Sequence, residues 1–245
     1  RKLLEQLVVG RAKLHSLTII EGWTTHDLLL ALRGADAIVR QTLGGDAAEL
    51  AAALGLPEAA AEGWFFPDTY RFPRGTSDRE VLRMAHLRMQ EVLARSWAGR
   101  APGLALRSPY EALILASIVE KETGLDSERP RVAGVFLRRL QLGMKLQTDP
   151  TVIYGLGPGF KGRLGRRDLD RDTPYNTYTR TGLPPTPISL PGEASIHAAL
   201  HPDDSDALYF VASPAADGSH VFSASLPEHN AAVNKYLEAL RKARP

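Results

Sequence analysis

The stretch Ser108-Pro109-Tyr110-Glu111-Ala112-Leu113-Ile114-Leu115-Ala116-Ser117-Ile118-Val119-Glu120-Lys121-Glu122-Thr123-Gly124 decides how the chain is built. Ser at the cap, Pro at the first helical position and Glu at the third form a capping box, so a helix starts here. Seven of the eight residues from Ala112 to Val119 are apolar, which places this helix inside the protein, buried nearly all round. Gly124 is its natural stop.

Working outward, a second helix capped by Ser127 carries Val132, Val135, Phe136, Arg139 and Leu140 at helical spacing and ends at Gly143. From Lys145 to Gly192 the chain is rich in Gly and Pro, with little periodicity but many polar and aromatic residues. Long irregular segments inside compact domains usually carry function. A short helix, Ala194 to Leu200, is followed by strands Ala207 to Ala212 and Ser219 to Ala224 around Asp217-Gly218, a hairpin signal. Ser225 and Glu228 then cap a helix whose expected buried face is Ala232, Val233, Tyr236, Leu237 and Leu240.

Upstream, Ser77 caps a helix from Asp78 to Arg95. Before it, Leu17 to Ile20 favours strand, and Thr24 or Thr25 caps a helix from Asp27 to Arg33. Further helical stretches are expected at Ala35 to Leu43 and Asp46 to Ala53, and Trp64 to Pro73 is extended and aromatic. These make a small βααβ-like module. Glu-Gly-Trp occurs at 21–23 and again at 62–64, either an internal repeat or two glycine turns each followed by a core aromatic. Pro73-Arg74-Gly75-Thr76-Ser77 is the boundary. The fold class is therefore α+β, with a small unit over residues 1–78 and a mixed α+β domain over 79–245.

The 245 residues are 44% hydrophobic and 24% charged, a soluble globular composition. Thirty Lys+Arg against 28 Asp+Glu argue against nucleic-acid binding as the main activity. The absence of Cys removes disulfides, thiolate nucleophiles and Cys-ligated zinc. No apolar run reaches the 18 or so residues of a membrane span. The chain begins at Arg1, which leaves room for a signal or anchor upstream.

For chemistry, Glu120 stands out. On a helix it lies above Leu113, Ala116 and Ser117, so its carboxyl points along an apolar face, where desolvation raises a carboxyl pKa as a general acid requires. Alternatively it reaches water or pairs with an Arg such as Arg138 or Arg139 and does no chemistry. Glu122 is about 200° further round, so the two carboxylates cannot share one site. A paired-carboxylate glycosidase would draw its second group from elsewhere, and Asp149 in Leu146-Gln147-Thr148-Asp149-Pro150 is the best candidate, although Asp-Pro is commonly plain turn chemistry. His197 and His201 stand at i and i+4, but no Glu follows His197 and no Cys can help, so no metal is expected, nor any cofactor. Tyr175-Asn176-Thr177-Tyr178-Thr179-Arg180 offers hydroxyls, an amide and rings, the vocabulary of carbohydrate recognition.

Five segments together resemble the bacterial endolytic murein transglycosylases, the MltG or YceG-like family: EGWFFPDTY (62–70), LASIVEKET (115–123), LQTDPTVIYGLG (146–157), PYNTYTRTGLPPTPISLP (174–191), and LYFVAS through SHVFSASLPEHN. The first portion resembles that family's LysM-like subdomain. The resemblance implies cleavage of nascent, uncross-linked peptidoglycan strands between N-acetylmuramic acid and N-acetylglucosamine, leaving 1,6-anhydromuramic ends. It implies an N-terminal helix in the bacterial inner membrane with this chain in the periplasm, and association with peptidoglycan synthases. The family's catalytic Glu is carried onto Glu120, and Gln147, Thr148, Asp149, Asn176 and Tyr178 are expected around the sugar. The competing readings are a hydrolase that pairs Glu120 with a second carboxylate, and a wall-binding scaffold without catalysis.

Overall fold

The computed structural model describes residues 13–41, 47–56 and 61–242. In chain order the elements are β1 (Leu14–Thr18), α1 (Thr25–Arg33), α2 (Ala47–Leu54), β2 (Thr69–Pro73), α3 (Asp78–Ala98), α4 (Pro109–Glu122), α5 (Arg129–Gln141), α6 (Asp149–Leu156), α7 (Arg166–Asp170), α8 (Glu193–Leu200), β3 (Tyr209–Ala212), β4 (His220–Ser223) and α9 (Leu226–Lys242). The class is α+β. Two antiparallel two-stranded sheets, β1 with β2 and β3 with β4, sit among the helices.

The first sheet pairs Leu14 with Pro73 and Thr18 with Thr69, closing the βααβ order. The strand begins earlier than Leu17 and stops before Ile19, because the chain turns at Glu21-Gly22, where Gly22 takes φ +76°. Thr24 caps α1 reciprocally: its hydroxyl accepts from the Asp27 amide, and the Asp27 carboxylate accepts from the Thr24 amide. The helix expected over Ala35–Leu43 is not one where it is described, through Gln41. The Val39 amide donates to Thr76 O and the Val39 carbonyl accepts from Asp78 N, so both face another segment rather than a helical turn. The rest of that stretch lies outside the described residues. Both Glu-Gly-Trp copies are turns with a left-handed glycine, Gly63 taking φ +83°.

Two cores form. Ile19, Leu28, Leu32, Phe65 and Phe72 pack with Val81, Leu82 and Ala85 from the first half of α3. Met89, Val92 and Leu93 from its second half pack with α4, with Val132 and Phe136 of α5, and with Ile196, Ala199 and Leu200 of α8. One helix thus serves both cores.

Helix α4 is the axis of the second core, and every residue from Ala112 to Val119 is buried. Ser108 caps it through the Glu111 amide, but the box is not closed: the Glu111 carboxylate accepts instead from the Arg107 amide and guanidinium. Ser117 resolves its own burial by donating to Ile114 O while accepting from the Ile188 amide, which pins the 187–190 segment onto the helix.

The irregular 145–192 segment contains two helices, α6 and α7. Asp-Pro therefore opens α6 instead of making a turn, with Asp149 in the first turn, where a negative charge suits the helix dipole. Helix α5 begins after Glu128 rather than Ser127, and Glu128 makes no capping bond because its carboxylate is engaged by His220. In α9 the expected apolar face is only partly covered: Ala232 is buried, whereas Leu237 and Leu240 are exposed. Among the described residues no helix is long and apolar enough to cross a membrane.

Candidate active site

Helix α4 ends at Glu122, and Thr123 is extended (φ −140°, ψ 135°). The two glutamates at this end leave the helix in different directions and enter different surroundings. Glu122 faces a cavity of about 620 Å³ whose walls include Arg139 of α5, Gln147 and Asp149 at the start of α6, Tyr178, and the β3–β4 hairpin with His220. Arg139 holds two of these walls together. Its guanidinium donates to Leu146 O (2.9 Å), Lys145 O (3.1 Å) and, across the cavity edge, Leu208 O (2.7 Å). Gln147 takes φ +54°, one of two non-glycine residues among those described in the left-handed region. Its amide is tied to Thr177 O (3.1 Å), and its side-chain oxygen accepts from Arg139 (3.4 Å).

Burial dominates the Glu122 carboxyl and pushes its pKa up from 4.5 to about 7; the Asp149 charge pushes the same way, while a hydrogen bond from the Thr148 hydroxyl and the charge of His220 oppose it. A carboxyl that keeps its proton to near neutrality while opening on a cavity is equipped to act as a general acid. Across from it the Asp149 carboxylate accepts a 2.5 Å hydrogen bond from the Tyr178 hydroxyl. The Tyr178 phenol, partly buried and beside Asp149, has its pKa raised and stays a donor.

Glu120 is elsewhere. Its side chain is 6% exposed and lies 3.6 Å from Arg129, whose own side chain is 8% exposed. Its Oε2 accepts from the Ser195 hydroxyl (2.7 Å) and from the Gly192 amide (3.0 Å) at the start of α8. The face that the helical spacing showed as apolar is thus met by a polar seam, and the pairing arginine is Arg129, not Arg138 or Arg139. Glu21 joins this seam: its carboxyl pKa is raised by burial and by the charge of Glu120, and it packs so closely on Gly192 that no Cβ would fit there. Lys121 donates to Gly22 O (3.1 Å), fastening the same turn.

Of the residues expected around a sugar, the structure brings Gln147, Asp149 and Tyr178 together and turns two away. Thr148 is buried, and its hydroxyl serves the Glu122 carboxyl. Asn176 is 1% exposed. Its amide donates to Leu169 O and Arg171 O and its oxygen accepts from Tyr178 N, so it shapes the loop that presents Tyr178. His197 and His201 stack on each other, and the His201 ring nitrogens lie against the His197 and Gly99 carbonyls. No cluster of three or more metal-ligating side chains occurs among the described residues.

The sequence profile of the YceG-like family matches residues 1–235. The chain belongs to the YceG-like family. Over 178 residues it is 39% identical to a Bacillus subtilis protein named endolytic murein transglycosylase, an alignment covering 73% of this chain and 48% of that protein. A Streptococcus pneumoniae protein of the same name is 29% identical over 188 residues, covering 73% of this chain and 32% of that one. The crystal structure of a YceG-like protein of Listeria monocytogenes superposes with a TM-score of 0.71 at 30% identity, covering 94% of this chain and 80% of that one. The chain thus spans about half or less of the length of the curated relatives it matches.

Three features of this YceG-like site were not singled out from sequence. Glu122 does not share a helix face with Glu120, which in sequence argues against a joint site, and the spacing offers Arg139 as one residue of a helical face and as a candidate partner for Glu120. The Glu128–His220 contact joins residues 92 apart, beyond any motif spacing. A second cavity of about 770 Å³ lies between α1 and α6, with Glu62 and Tyr154 in its wall. Glu62 accepts from the Thr25 amide (2.9 Å) and hydroxyl (3.1 Å) and from Tyr154 (3.2 Å), yet burial still lifts its pKa from 4.5 to about 7. A carboxyl raised in the folded state favours folding fully below the unfolded pKa and loses that advantage as pH rises towards 7. Glu62→Gln is therefore expected to remove about 3 kcal/mol of the stability lost by the YceG-like chain between pH 4.5 and 7, read from urea unfolding at several pH values. An unchanged pH slope in the variant would refute this.

Proposed function

We propose that this chain cleaves peptidoglycan glycan strands internally, between N-acetylmuramic acid and N-acetylglucosamine, by lytic transglycosylation, with Glu122 as the acid. The supporting observation is a buried carboxyl, protonated to about pH 7, facing an open cavity opposite the Asp149–Tyr178 pair. Glu122 gives its proton to the glycosidic oxygen as the bond to the anomeric carbon breaks. The Asp149 carboxylate stabilises the oxocarbenium-like charge. The 6-hydroxyl oxygen of the same muramic residue then bonds to the anomeric carbon and gives up its proton, so that the net proton count of the site is unchanged. No water is consumed. The names of the Bacillus and Streptococcus relatives support the substrate class.

Asp149 in the same cavity as Glu122 also supports a second reading, hydrolysis by two carboxylates. Mass spectrometry of uncross-linked strands separates them. Internal fragments ending in anhydromuramic acid, lighter by one water than hydrolysis products, are expected; reducing ends would establish the hydrolase, and no cleavage by the folded protein would favour a wall-binding scaffold. The substrate lies outside the cytoplasmic membrane, so the same proposal puts this chain there, in the periplasm of a two-membrane cell, anchored through an upstream helix and in contact with peptidoglycan synthases.

A further inference from the structure

The β3–β4 wall of the cavity has no role in the reaction above, yet it is built to hold one ring still. The His220 Nδ1 lies 2.7 Å from Glu128 Oε2, and the His220 backbone amide donates to Glu128 Oε1 at 2.8 Å, so one carboxylate clasps the residue at both ends. Phe210 and Phe222 flank the imidazole edge-on, at 5.4 and 6.3 Å between centroids. Both partners are largely buried, at 15% and 13% side-chain exposure. Glu128 gives up the capping of α5 to make this contact, and His220 lines the cavity that Glu122 enters.

In the neutral ring a carboxylate at Nδ1 holds the proton on that nitrogen, which leaves the lone pair on Nε2. Such a ring is a base, whereas Glu122 is poised as an acid. We propose that His220 is a second catalytic residue of this cavity, the base that takes the proton of the attacking hydroxyl, with Glu128 as its positioning residue. The inference rests on the transglycosylase reading. The steps balance: the Glu122 proton goes to the leaving oxygen, the hydroxyl oxygen bonds to the anomeric carbon, and its proton goes to His220 Nε2. The resulting imidazolium and Glu122 carboxylate face one open cavity, and proton transfer between them through solvent resets both. The charged groups around His220 are Glu128 on its own contact, Glu122 from α4, Asp149 from α6, Arg131 over the Phe222 ring and Arg139 from α5, and His229 from α9. Among the described residues Glu128 is the charged group in hydrogen-bond contact with an imidazole nitrogen of His220.

The test measures turnover of uncross-linked glycan strands against pH for wild type, His220→Ala and Glu128→Gln, with folding followed by circular dichroism. His220→Ala is expected to lose about 100-fold in kcat with little change in KM, to lose the acid limb of the pH profile while the limb set by Glu122 remains, and to recover part of its rate with added imidazole. Glu128→Gln is expected to lose about 10-fold with both limbs present, and it carries the test if the alanine variant does not fold. Wild-type turnover in either variant, or a loss in His220→Ala that imidazole does not relieve and that keeps both limbs, overturns the base assignment. Absence of cleavage by wild type would instead remove the transglycosylase reading on which it stands.

Discussion

Glu122→Gln is expected to lower the rate of glycan-strand cleavage about 10³-fold without loss of fold, the size of effect that removing a general acid produces. The amide keeps the shape and can still meet the Thr148 hydroxyl, but it has no proton to give to a leaving oxygen. Burial is what makes this carboxyl an acid near pH 7, so wild-type activity should fall as pH rises through about 7, where Glu122 ionises. Stability should respond with the opposite sign to activity: above pH 7 the variant no longer carries a buried carboxylate, and its unfolding free energy should match or exceed that of wild type. Initial rates from released anhydromuramic ends, with urea unfolding at pH 5 and 8, check both halves. A variant with more than a tenth of wild-type activity would exclude Glu122 as the acid.

Glu120→Gln should show the converse, a loss of about 3 kcal/mol in stability with turnover of the folded protein within a few-fold of wild type. Breaking a buried ion pair by removing one partner leaves the other charge uncompensated, which costs more than the pair was worth. Arg129 is poorly placed to absorb that loss: its Nε is already buried without a hydrogen-bond partner among the described residues, and Asp126, the other carboxylate in direct ion-pair contact with it among those residues, is exposed. The Glu120 Oε2 also accepts from the Ser195 hydroxyl and the Gly192 amide; glutamine keeps one oxygen to meet them but has no charge to offer Arg129. Differential scanning calorimetry should record a fall in Tm of roughly 10 °C. If Glu120→Gln instead abolished cleavage at unchanged Tm, the two glutamates would have exchanged roles.

These paired outcomes separate chemistry from architecture at one helix end. They also show how the seam between the Glu21–Trp23 turn and α8 relates to the cavity. The Gly22 amide donates to Leu190 O and the Leu190 amide to Trp23 O, so the N-terminal sheet unit is stitched to the segment that Ser117 pins on α4. Glu120 closes that seam from below. The cavity that Glu122 lines is a separate one, without Glu120 in its wall.

The sequence by itself determined much of this protein: the buried α4 with its Ser108 cap, the β3–β4 hairpin about Asp217-Gly218, and the βααβ order of the first unit. These are local matters, set by caps, by apolar spacing and by turn residues whose effect does not depend on distant neighbours. It also showed that Glu120 and Glu122 diverge, since 100° per residue is a property of the helix alone. Only the tertiary structure decided what each of them meets. Arg129, Ser195 and the Gly192 amide close over one face, while Thr148, Asp149 and the His220 wall stand across from the other. A carboxyl's pKa follows from that company, from how much water is excluded and which charges remain, and none of those neighbours is within a helical turn of it in the chain.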